Sequence, residues 1–226
     1  MADQFVELLG TAPVSVDGGK LTFVRGSLCT MLSIWKDRYD RSAFSWMVYT
    51  DYTGLRDRMD DFGGVGIRID HPTPTGDASP SSIPPAACYP WPAGSAPLAP
   101  EIAAGVTRYG PASLHFVRDS HDLGLLLLAD THVHREGVWS FTSANSGPAR
   151  LAQAILLARQ CGDQELERAA VTKLRNRGEE PVAPYPDYLF RQAVADWSRQ
   201  YAKATGIDLS DLAKLKRKRP QYPEIP

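Results

Sequence analysis

Charge of either sign is nearly balanced in this chain: 25 lysines and arginines face 26 aspartates and glutamates, a net charge of -1 over 226 residues. A protein that grips nucleic acid over its whole surface is strongly basic, so that class is excluded and only a local basic patch stays open. Long apolar runs are missing too. The longest, residues 123–129, is far shorter than the ~20 residues needed to span a bilayer, which predicts no membrane span. The opening MADQFVELLG carries Asp3 and Glu7 where a secretory signal has a cationic end and then an apolar stretch, so a cytoplasmic location is expected. Cysteine is scarce. Cys29, Cys88 and Cys161 are odd in number, far apart and outside CxxC spacing, which excludes a disulfide framework or zinc knuckle and predicts reduced thiols in buried, structural positions.

Catalytic signatures are also lacking. No serine sits in GxSxG, and no glycine-rich run has dinucleotide or P-loop spacing. Asp61-Phe62-Gly63 spells a kinase triplet, but no glycine-rich loop, strand lysine or catalytic-loop motif precedes it, so it reads as a turn. These patterns name no cofactor, and they leave open whether the chain is an enzyme.

What is present is an ordinary core-forming composition, 43% apolar and 23% charged. The pattern predicts an α+β protein: a β-rich N-terminal half whose sheet packs with a C-terminal set of helices, in a single compact unit over 1–226. Within the β-rich region 1–71, strands are expected at 20–25, 28–35, 44–50 and 65–69, with a short helix at 53–59. Residues 72–100 are crowded with proline and nearly uncharged, which predicts an exposed loop. The region 101–180 reads as a short helix at 100–106, strands at 113–117, 123–129 and 138–142, and then a helical hairpin. In that hairpin Gly162 ends the first helix, Asp163 caps the second, and Leu166, Ala170 and Leu174 form its stripe. The region 181–226 reads as C-terminal helices and a basic tail. Its strongest helix is expected at 187–204, where Phe190, Val194, Trp197, Tyr201 and Ala204 form an apolar seam.

Four candidate sites emerge. His132 and His134, two apart at the end of an expected strand, are the candidate metal ligands, since alternate residues of a strand point the same way; Asp130, His115 or His121 would complete the set. No histidine follows His134 and the chain is short, so the amidohydrolase and PHP-type barrels, which also carry HxH, do not fit. Asn145, Ser146, Gly147 and Arg150 surround an expected helix N-terminus, where free backbone donors and the helix dipole favour a phosphate or nucleotide; helix capping by Ser146 draws on the same donors. Tyr89 and Trp91 give the proline-rich loop two aromatics suited to partner binding. The basic run 214–219, with Lys214, Lys216, Arg217, Lys218 and Arg219, is the one local patch open to nucleic acid.

The segment 139–149, WSFTSANSGPA, with the apolar helix RLAQAILL that follows it, resembles a bacterial family of no assigned activity whose core reads roughly F-x-W-G-Y-G-G-S-G-P-A-x-L-A-L-A-I-L. Ser146, Gly147, Pro148, Ala149, Leu151, Ala152, Ala154, Ile155 and Leu156 match it, whereas Thr142, Ser143, Ala144 and Asn145 replace the family's glycines. The resemblance covers about twenty residues and implies a strand–turn–helix unit. It carries no activity over.

The expected function is a non-enzymatic binding or regulatory protein that acts through a protein partner or as a homo-oligomer. The alternatives are a metal-dependent hydrolase built on His132 and His134, and a nucleotide, phosphate or nucleic-acid binder using 145–150 and the basic tail.

Overall fold

The computed structural model describes residues 1–37, 40–56, 66–70, 89–92, 96–141, 147–176, 196 and 198–212. One antiparallel sheet organises them, in the order β1-β2-β3-β4-β5-β8-β7. Its strands are β1 (Ser15–Asp17), β2 (Lys20–Arg25), β3 (Leu28–Lys36), β4 (Ala43–Tyr52), β5 (Gly66–Asp70), β6 (Tyr89–Pro90), β7 (His134–Arg135) and β8 (Val138–Phe141), with β6 beside β4. The helices are α1 (Ala2–Leu9), α2 (Thr53–Arg56), α3 (Pro100–Leu114), α4 (Ser120–Leu128), α5 (Gly147–Cys161) and α6 (Gln164–Asn176). The chain is α+β, as its pattern predicts. No described helix is long and apolar enough to cross a membrane.

The front of the sheet is a meander set by turn chemistry. Gly18 and Gly26 hold positive φ (57° and 58°) at the first central position of two-residue turns, which matches the right-handed twist of hairpin strands. Alternation then places one set of side chains on a single face. Leu21, Phe23, Leu28, Leu32, Ile34, Phe44, Trp46 and Val48 face the helices and are buried. Thr30 and Thr50 are paired across β3 and β4 on that same face, their hydroxyls 3.1 Å apart.

Three expectations are corrected. Residues 113–114 close α3 and are not a strand, with Pro111 inside that helix. The run 123–129 is not a strand either; it supplies most of α4. An apolar stretch without polar alternation has no readable period, and leucine suits a helix where valine or isoleucine would suit a strand. The deciding signal lies upstream, where Asp119 caps the helix by accepting from the Asp122 amide (2.8 Å). Gly124 is then required by packing, because a Cβ there would sit 2.2 Å from Leu166 Cδ2. Third, the stretch 72–100 is not exposed throughout. Tyr89 pairs with Phe44 in β6, Leu98 is buried, and Gln4 of α1 receives the Leu98 amide (2.8 Å) and donates to the Ala96 carbonyl (3.1 Å). Residues 72–88 and 93–95 of that stretch lie outside the described residues.

The helical hairpin forms as expected. Gly162 ends α5 at φ 71°, and Asp163 accepts from the Leu166 amide (3.0 Å) to cap α6. Residues 151–158 of α5 are all buried, so this is a central helix enclosed on every side. Arg159 fastens it outward, bonding Glu167 of α6 (2.7 Å) and Asp211 (2.8 Å). Of the C-terminal seam, Tyr201 is buried and Ala204 packs against the core, while Phe190, Val194 and Trp197 fall outside the described residues, as does the basic run 214–219. Burial pushes the Tyr201 phenol up, partly countered by the neighbouring Gln153 side chain. Cys29 is buried as expected. Cys161 is exposed at the end of α5, and Cys88 lies outside the described residues.

Candidate functional site

The two histidines of the HxH pattern sit at the edge of the sheet, but not after a strand: α4 precedes them. Glu136 (φ 49°) and Gly137 (φ 82°) form the tight two-residue turn of the β7–β8 hairpin, both central positions left-handed. His134 stacks on Trp139 directly across the hairpin, ring centroids 4.3 Å apart. His132 places Nδ1 3.2 Å from the Ser140 carbonyl oxygen. The other candidates go elsewhere. Asp130 receives Lys173 Nζ (2.5 Å), His115 ends α3, and His121 bonds Asp163 (2.5 Å). Among the described residues no group of three or more His, Cys, Asp and Glu side chains could hold a metal ion. The fold thus disperses the histidines that the sequence clusters.

The polar centre of this region is a pair that the sequence reading does not single out. Arg135, next to the HxH, grips Asp122 of α4 with both nitrogens (2.6 and 2.7 Å), donates to the Phe116 carbonyl (2.7 Å), and lies over the Phe116 ring. Burial pushes the Asp122 carboxyl up, but the Arg135 hydrogen bonds and the Arg118 amide more than offset this and hold it below the usual carboxylate range. The arrangement clamps the hairpin to α4. An arginine two residues before a glycine turn carries no local sign of a partner thirteen positions upstream.

At the α5 N-terminus the described part begins at Gly147; Asn145 and Ser146 lie outside it. Arg150 does not project towards an anion. It is 7% exposed and donates from Nη1 to the carbonyls of Ala129 (2.7 Å) and Leu127 (3.2 Å). Lys173 of α6 bonds the Leu128 carbonyl beside them. Two cations therefore satisfy the carbonyls at the α4 C-terminus, the negative end of that dipole. Arg150 is therefore corrected as a residue of the candidate anion site: its guanidinium serves a neighbouring helix.

Tyr89 is also corrected as an accessible partner-binding residue. It is 6% exposed with its ring 5.4 Å from Phe44. Trp91 is half-buried, edge-on to the same Phe44 (5.9 Å) and covered by Lys36 Nζ (4.4 Å). Both aromatics anchor the segment to the sheet.

Accessible apolar surface lies at the opposite end. β1 ends the sheet, every residue of it is exposed, and Val14 and Val16 are 64% and 52% exposed, with Val24 on β2 at 49%. Among the described residues no strand pairs with the outer side of β1, and such an edge beside β-branched apolar side chains suits the addition of another strand. The sequence signal was present as Val14-Ser15-Val16 before Gly18-Gly19, but a three-residue strand is too short to read from alternation. No protein-family model, curated protein or solved structure matches this chain.

Proposed function

We propose that this chain is a non-enzymatic binding or regulatory protein that acts through a protein partner, and that the partner extends the sheet at β1. The observation that carries the reading is the exposed edge, where Val14 and Val16 stand 64% and 52% accessible. Strand addition draws affinity from main-chain hydrogen bonds and specificity from alternate side chains, and this edge offers both. The reading moves the partner surface away from Tyr89 and Trp91, which are occupied by Phe44 and Lys36.

The test is capture by the immobilised full chain, wild type against V14K/V16K, with circular dichroism to verify that the variant keeps its fold. Lysines on an edge strand oppose pairing while leaving the strand soluble. Loss of a specific partner in the folded variant is the expected result. Equal capture by both proteins would remove β1 as the recognition element.

A further inference from the structure

We infer that the strand added at β1 is β1 of a second copy of this chain, related by a two-fold axis through Val16. The inference rests on the edge-strand reading above and names its partner. Asp17 and Lys20 close the β1–β2 hairpin around Gly18-Gly19, so their backbone groups face one another. Alternation along an antiparallel ladder then turns the N–H and C=O of Val16 away from β2, towards the free edge. A two-fold axis at Val16 lets these groups exchange both hydrogen bonds with the partner's Val16.

The side chains agree with that register. Val16 lies opposite Leu21, on the helix-bearing side of the sheet at the margin of the core. Its exposed methyls would be covered by those of the partner's Val16. Ser15 would lie opposite the partner's Asp17, so each carboxylate meets a hydroxyl and no like charges are apposed. Neighbouring registers fail. An axis through Asp17 sets two carboxylates against each other, and an axis through Ser15 brings up backbone groups already turned towards β2. The contact is isologous and closes on two copies. Its length makes it a weak interface of the concentration-dependent kind.

Sedimentation of the full chain from about 10 μM to about 1 mM tests this, with V16K and V16T beside wild type. The expected result is a dimer whose dissociation constant rises tenfold or more in V16K and stays within about threefold in V16T, which keeps a β-branched side chain. A second arm uses V16C in a background of Cys88→Ser and Cys161→Ser. Bonded antiparallel pairs have Cα atoms ~5.5 Å apart, within disulfide reach, so oxidation should cross-link two chains through position 16. A dimer that persists in V16K, or a V16C protein that stays uncrosslinked while dimeric, would overturn the proposal. A chain that is monomeric throughout would also overturn it, yet loss of capture in V14K/V16K would then leave the protein-partner reading standing.

Discussion

An arginine in the first turn of a helix meets the unfavourable end of the dipole, and an exposed one could be removed with little effect on stability. Arg150 is in the first turn of α5 but spends its guanidinium on α4, whose Leu127 and Ala129 carbonyls it satisfies. Truncation would leave buried acceptors without that donor, each costing about 1–3 kcal/mol. Arg150→Ala is therefore expected to destabilise the protein by about 2–4 kcal/mol, read as a fall in the urea midpoint at unchanged slope. A change under about 0.5 kcal/mol would show that the carbonyls are satisfied without it. Residue type and position were legible here; the partner was not, because it lies more than twenty residues away on another helix.

Between elements, His121 and Asp163 join the first turn of α4 to the cap of α6 (2.5 Å). The hydrogen bond it donates to Asp163 raises the His121 imidazole, helped by the charges of Asp163, Asp119 and Glu165 and opposed by slight burial. The His121 bond lowers the Asp163 carboxyl, assisted by the Leu166 amide. A raised imidazole contributes stability that is full below its unfolded value of ~6.5 and is lost as pH climbs through the folded value. A lowered carboxyl contributes above its unfolded value of ~3.9 and loses that contribution as pH falls through the folded value. The pair is thus at full strength between about pH 4 and 6.5. His121→Ala should cost more stability at pH 5.5 than at pH 9, and solvent screening at this half-exposed histidine keeps the difference small. Proton NMR titration of wild type should place the His121 midpoint above that of an unpaired histidine. A midpoint at or below it, or an equal cost at both pH values, would show that the pair is not formed in solution.

For the molecule as a whole, closure of the chain between β5 and α3 depends on contacts far apart in sequence. Phe44 receives Tyr89 and Trp91, while Gln4 holds Ala96 and Leu98. Tyr89→Ala uncovers buried Phe44 and removes a fully packed ring, which should cost about 3 kcal/mol in thermal or urea unfolding. Deleting residues 79–97 should likewise destabilise the fold, since it takes both aromatics and Ala96 together. A Tyr89→Ala variant as stable as wild type would return that ring to the accessible surface.

Several features were decided by the sequence alone, because their causes are local. β-branched and aromatic residues placed β2, β3 and β4, with Gly26 at the turn between the first two. Asp163, Gly162 and the Leu166–Ala170–Leu174 spacing fixed the α5–α6 hairpin. Tertiary structure decided the rest. The apolar stretch at α4 has no period, so only its cap and its contact with Leu166 made it a helix. The histidines within twenty residues of one another separated because α4 and the β7–β8 turn point them at different partners. Arg150 and Tyr89, both polar-tipped side chains with accessible-looking neighbours in sequence, were buried by elements that no local pattern could place beside them.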